Sequence, residues 1–110
     1  MVSRTPNAEI IDGLRALGDK SRWRICQILL AHGEVCVGEL VDKMKISQPL
    51  VSHHLKALRQ VGLVKTRRQG NWIFYSLAPR RLERVIARLN AEFGSAMTSP
   101  ARSKEAVIKG

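Results

Sequence analysis

The spacing of apolar residues changes twice along this chain, and that succession limits the folds it can adopt. Up to Gly62 apolar residues recur every three or four positions, which predicts helices. From Leu63 to Leu77 β-branched and aromatic residues dominate around a central Gly70, which predicts a β-hairpin. Helical spacing returns after Pro79. We therefore predict a mainly α fold with one small hairpin, in the order α-α-α-α-β-β-α.

Four helices are predicted before the hairpin, and the last two are separated by a tight turn. Ser47 can cap the fourth helix, Pro49 suits its first turn, where an N–H is dispensable, and Gly62 ends it. The apolar positions that mark these helices are, in chain order, Ile10, Leu14 and Leu17; Ile25, Ile28 and Leu29; Leu40, Val41 and Met44; and Val51, Leu55 and Leu58. We predict strands at Leu63–Arg67 and Trp72–Leu77, joined by the turn 68–71.

The chain of 110 residues has room for one small domain. Polar, Pro-containing ends predict flexible tails at 1–7 and 96–110, which leaves the domain at 8–95. The sequence contains no apolar run long enough to span a membrane and no signal-like N-terminus, so we expect a cytoplasmic protein without a membrane partner.

Positive charge is concentrated in the second half of the chain. The whole sequence has 19 Lys and Arg against 9 Asp and Glu, a net charge of +10. Residues 56–110 hold 12 basic and 3 acidic side chains, so their net charge is +9. Such asymmetry favours a polyanionic partner, because Lys and Arg that neutralise phosphates release counterions, although solubility accounts for part of it.

A short helix, a tight turn, a helix with a polar face and a basic hairpin together indicate a winged helix-turn-helix. The fourth helix would read the major groove of DNA with short polar side chains, since its apolar residues face inward. The candidates there are Ser47, Gln48, Ser52, His53 and Lys56, and those on the hairpin, or wing, are Arg67, Arg68 and Asn71. The final helix carries apolar residues on one face, and this face requires a packing partner. Its residues are Leu82, Ile86, Leu89 and Phe93.

Residues 14–79 resemble the ArsR-type family of bacterial metalloregulators. The resemblance lies in LRALGDKSRWRICQILL, GEVCVGEL and ISQPLVSHHLKALRQVGLVKTRRQGNWIFYSL. It implies a homodimer whose first and last helices form the interface, and operator binding that represses transcription until an effector releases the DNA. The implied interface comprises Ile10, Leu14, Leu17, Leu82, Ile86, Leu89 and Phe93. The resemblance adds His54 and Gln69, so that the complete predicted DNA-binding set is Ser47, Gln48, Pro49, Ser52, His53, His54, Lys56, Arg67, Arg68, Gln69 and Asn71.

The family's metal sites are incomplete in this sequence. Arsenic-responding members carry two cysteines separated by one residue on the third helix, whereas here Cys36 is kept and Gly38 stands at the second position. Zinc-responding members use carboxylates and histidines on the last helix, and residues 80–93 contain no histidine. Cys26 is expected to pack in the core, while Cys36 remains a candidate thiol for a metal, a metalloid or a redox effector, with a second Cys36 or Cys26 completing the site. His53 and His54 point about 100° apart and are poor joint ligands.

The sequence has two alternative interpretations besides a sequence-specific repressor. A nonspecific architectural DNA-binding protein would use the basic second half to coat phosphates. An enzyme is not supported, because the sequence shows no nucleophile–base pair, metal motif or phosphate-binding glycine loop.

Overall fold

The computed structural model describes residues 6–95 and has the predicted element order. Five α-helices and a two-stranded antiparallel sheet follow one another as α1 (Pro6–Leu17), α2 (Lys20–His32), α3 (Val37–Met44), α4 (Gln48–Gln60), β1 (Val64–Gln69), β2 (Trp72–Leu77) and α5 (Pro79–Leu89), with a π-helical segment at Asn90–Gly94. Because α1 begins at Pro6, the predicted N-terminal tail is too long by two residues. The predicted tail at 96–110 lies outside the described residues.

Local side-chain chemistry defines where α2 and α4 begin. Asp19 caps α2, since its Oδ2 accepts a hydrogen bond of 3.0 Å from the backbone N–H of Arg22. The Ser47 Oγ caps α4 by accepting from the N–H of Leu50 at 3.3 Å. Between α3 and α4, Lys45 takes a left-handed conformation with φ of 58°, and this turns the chain sharply from one helix into the next.

The core lies where α2, α3 and α4 meet the base of the hairpin. Side chains from all of these elements are almost wholly excluded from solvent, namely Ile25, Leu29, Val35, Leu40, Val51, Leu55, Leu58 and Leu63. Cys26 packs against this core, as expected. No helix among residues 6–95 is long and apolar enough to cross a membrane.

The hairpin is longer and its turn tighter than predicted. Its ladder runs from Val64 opposite Leu77 to Gln69 opposite Trp72, so only two residues form the turn. Gly70 there has φ of 61°, which permits a two-residue hairpin turn whose twist matches the strands. The ladder therefore includes Arg68 and Gln69, which were predicted from the sequence to lie in the turn.

A short segment before α3 widens the sheet. Val35 and Tyr75 exchange two backbone hydrogen bonds, of 3.0 Å and 2.8 Å, so that one residue of the α2–α3 connection pairs with β2. The base of the wing is thereby held to the end of α2.

A polar contact joins the start of α2 to α4. The Arg22 Nε donates to the carbonyl of Ala16 at 2.8 Å, and its Nη1 lies 3.4 Å from the Nδ1 of His54. The Asp19 Oδ2 lies 3.9 Å from the same nitrogen. Because a guanidinium can only donate, a hydrogen bond between these two groups requires Nδ1 to accept, with the proton of the neutral imidazole on Nε2.

Burial of His54 disfavours its charged form. Desolvation lowers the pKa of His54, the Asp19 carboxylate partly offsets this, and Arg22 and His53 add to the lowering. The hydrogen bond from the Arg22 backbone, which is the largest influence on Asp19, lowers the pKa of that carboxyl group. Both groups therefore take up protons more readily in the unfolded chain, and acid favours unfolding.

We expect the free energy of unfolding to decrease as the pH falls from about 6.5, the ordinary pKa of histidine, toward the lowered pKa of His54. Replacing His54 with Gln removes the titrating group and should flatten this part of the profile. Urea denaturation at a series of pH values measures the effect. His53→Gln, which changes the exposed neighbouring histidine, is the matched control; a profile in His54→Gln as steep as in the wild type would contradict the prediction.

Candidate nucleic-acid interface

One face of α4 is buried and the opposite face is polar and exposed. Val51, Leu55 and Leu58 point into the core. The exposed side chains include six of the predicted DNA contacts, namely Ser47, Gln48, Pro49, Ser52, His53 and Lys56. These six positions therefore present short hydrogen-bonding groups together with one cation, Lys56, which suits the mixture of base edges and phosphates in a major groove.

The first turn of α4 also exposes an apolar group that the sequence analysis did not select. Leu50 lies between the predicted contacts and is 44% exposed. In the sequence it could be taken for part of the apolar face, because it precedes Val51. A branched apolar side chain at the groove-facing end of such a helix is suited to contact a thymine methyl group.

Ser47 retains hydrogen-bonding capacity although it caps the helix. Its Oγ accepts from the Leu50 N–H, which leaves the hydroxyl proton available to an acceptor on DNA. Capping and DNA contact are therefore compatible at this position.

His54 does not belong to the exposed face. The resemblance had implied a DNA contact, but the side chain is buried against Arg22 and Asp19. It lies one residue after His53 and thus on a different side of the helix, where α2 covers it. The structure corrects this assignment and leaves His54 in a structural role.

The wing is basic, but its first predicted arginine is held by an acidic side chain. Arg67 donates from Nε and Nη2 to the two carboxylate oxygens of Glu34, both at 2.9 Å, and from Nη1 to Gln69, also at 2.9 Å. The hydrogen bond from Arg67 lowers the pKa of Glu34, and the same pair raises the pKa of Arg67. The guanidinium also lies 4.6 Å from the ring centre of Phe74.

Because Arg67 is engaged in this way, its charge is largely neutralised by Glu34. Arg68, Gln69 and Asn71 are exposed along the rest of the wing. The sequence did not reveal the pair, since Glu34 is 33 residues away from Arg67.

The cysteines do not form a recognisable metal centre. Cys36 lies just before α3, where its backbone N–H donates to Glu39 at 3.1 Å, and burial raises the pKa of Cys26 to about 11. A thiol with that pKa is protonated near neutral pH and is a poor ligand. Among residues 6–95 no group of three or more His, Cys, Asp and Glu side chains is arranged to hold a metal ion. The donors described here therefore do not fit an arsenic or zinc site within one chain.

The predicted dimer residues fall into two groups. Leu17 and Leu82 pack against the chain's own core, and Ile10 and Leu14 are half-buried. The outer group is exposed and consists of Ile86 at 55%, Leu89 at 37% and Phe93 at 61%. Trp23, 55% exposed, lines a groove of about 650 Å³ together with residues of α1 and α5. The apolar strip formed by Ile86, Leu89 and Phe93 is thus left uncovered by the rest of residues 6–95.

Comparison with known proteins identifies the architecture and its family. The sequence profile described as bacterial regulatory protein, arsR family, matches residues 19–66. The chain is 39% identical to the arsenic resistance transcriptional regulator ArsR1 of Pseudomonas putida over 68% of its own length and 59% of that protein. It is 42% identical to the arsenical resistance operon repressor of Staphylococcus aureus over 70% of this chain and 73% of that one.

A solved structure agrees with these sequence matches. The ArsR-like transcriptional regulator from Rhodococcus sp. RHA1 superimposes with a TM-score of 0.72 at 27% identity, over 94% of this chain and 92% of that one. These relatives are transcriptional regulators and not enzymes, and the shared fold is a winged helix-turn-helix. The chain belongs to the ArsR family of bacterial regulatory proteins.

Proposed function

We propose that this DNA-binding regulator is a cytoplasmic repressor that binds an inverted-repeat operator as a homodimer and leaves it when an effector binds. In this proposal α4 enters the major groove, and the wing contacts the neighbouring backbone or minor groove. The observation that carries the proposal is the division of α4 into a buried apolar face and an exposed polar face.

The division of α4 supports sequence reading because it brings several kinds of contact together. Gln48 and Ser52 are four residues apart on the exposed face and can donate and accept at base edges. Lys56, one turn further along, can neutralise a phosphate and so set the helix in register. A protein that only coats phosphates does not need the amide and hydroxyl groups.

Dimerisation is supported by the apolar strip beside α5. Exposed Ile86, Leu89 and Phe93 are large enough to drive association, and two-fold symmetry would match two half-sites of an inverted repeat. The proposed interface joins this strip on one protomer to the same strip on its partner.

The effector-release part of the proposal follows from membership of the ArsR family. The two relatives are named for arsenic or arsenical resistance. In this chain, however, position 38, where the second cysteine was expected, is a glycine. We propose no metal for this protein, and Cys36 remains a candidate for oxidation or for a site shared between subunits.

Gln48→Ala should relax base discrimination with little effect on nonspecific binding, because it removes a bidentate base contact without removing charge. We expect about a tenfold loss of affinity for a duplex that the wild-type chain selects from a randomised library, measured by fluorescence anisotropy with excess competitor DNA. Gln60→Ala, at the other end of α4, is the control. Equal binding of wild-type protein to selected and random duplexes would instead support the architectural alternative.

Ile86→Glu should give a monomer, because a carboxylate would be buried in the proposed interface. Sedimentation velocity measures the mass, and anisotropy measures the accompanying loss of operator affinity. Leu30→Glu is the matched control, since Leu30 is 75% exposed on α2 and lies outside the strip. An Ile86→Glu variant that sediments as a dimer would place the interface elsewhere.

A further inference from the structure

We propose that Trp72 is a DNA-contacting residue of the wing, with its indole packed against the sugars and base edges of a minor groove. This inference rests on the proposed function and adds to it an apolar contact next to the ionic ones. It also provides an optical signal of binding.

Trp72 has a side chain that is exposed and does not pack in the core. Its side chain is 64% exposed although it begins a strand, and it does not belong to the buried cluster or to the residues packed against it. Tryptophan has the largest apolar surface of any side chain, and folding gains little from one that stays in water. Packing among residues 6–95 therefore gives no reason for a tryptophan at this position.

The position of Trp72 is at the far end of the wing. At the base of the hairpin Val64 is buried, and the ladder continues from there to the last pair, Gln69 and Trp72. Five residue steps of a strand carry the tip roughly 17 Å from that base. The indole thus lies exposed near the tip of the hairpin, which projects from the core.

The hairpin that carries Trp72 also carries two arginines, Arg67 and Arg68. Paired residues of a hairpin share a face, so Trp72 lies on the same face as Gln69, and the next ladder position on that face is the Arg67–Phe74 pair. Arg67 is fixed there by Glu34, whereas Arg68 on the opposite face is exposed. An exposed apolar ring on a hairpin that also carries the exposed, basic Arg68 suits a partner that is both anionic and able to pack against a flat ring.

Duplex DNA has this combination of properties. Its phosphates would attract Arg68, its sugars would pack against the indole, and the indole N–H could donate to the adenine N3 or thymine O2 acceptors of a minor groove. Apolar side chains inserted in minor grooves are an established means of contact for DNA-binding proteins. The inference therefore includes a preference for A·T pairs where the wing meets the operator.

The test uses the full chain and a duplex that the wild-type protein selects from a randomised library. Trp72→Ala should bind this duplex about tenfold more weakly, and Trp72→Phe should recover part of the loss. The slope of log affinity against log salt concentration should be unchanged in Trp72→Ala, because no charge is removed. Arg68→Ala should reduce the magnitude of this slope by about one. Replacing A·T pairs by G·C pairs at the flanks of the duplex should lower the DNA affinity of the wild type by a larger factor than it lowers the affinity of Trp72→Ala.

Fluorescence tests the contact directly, because the chain has 2 tryptophans. In Trp23→Phe the remaining emission comes from Trp72, and it should change in intensity or wavelength when the duplex is added. In Trp72→Phe the emission comes from Trp23, which serves as the control for effects away from the wing. Circular dichroism verifies that each variant is folded.

The outcomes separate this inference from the proposed function. A wild-type chain that binds no duplex overturns both. A wild-type chain that binds, combined with unchanged Trp72 emission and full affinity in Trp72→Ala, overturns this inference alone. A change in oligomeric state in Trp72→Ala also overturns it, since the indole would then pack against another copy of the chain.

Discussion

The apolar face of α4 packs into the centre of the molecule, where Val51, Leu55 and Leu58 are almost completely excluded from solvent. Burial of one such side chain contributes about 1.5 to 3 kcal/mol, so the three together resist rotation of the helix about its axis. With the rotation fixed, Gln48 and Ser52 face outward. The polar surface is thus oriented by residues that cannot themselves contact DNA.

The two parts of the candidate interface are attached to opposite ends of α2. At its start, Arg22 contacts His54 of α4. Beyond its end, Val35 pairs with Tyr75 of the wing, and Glu34 holds Arg67. Because both attachments combine polar contacts with burial, α2 sets the spacing between the helix and the wing. A displacement of α2 relative to the core would alter both parts of the candidate interface at once.

Short-range patterns in the sequence were sufficient to predict the element order, the Ser47 cap and the buried face of α4. They failed where the outcome depends on residues distant in sequence. His54 is buried because Arg22 and Asp19 approach it from another helix, and Arg67 is paired because Glu34 does so. Leu50 and Trp72 were not among the predicted contacts for a different reason, since an apolar residue in a sequence does not by itself show whether it faces the core or the solvent. Their exposure depends on helix rotation and strand register, which three-dimensional packing determines.

Gly38 is surrounded by open space, for no atom outside its immediate backbone lies within 4 Å of where a Cβ would be. The fold therefore places no demand on this residue, and a side chain there would neither strain the backbone nor disturb the core. In evolutionary terms, the position can gain or lose a ligand without cost to folding. A side chain with a ligand atom at position 38 would therefore leave undisturbed the core that orients α4.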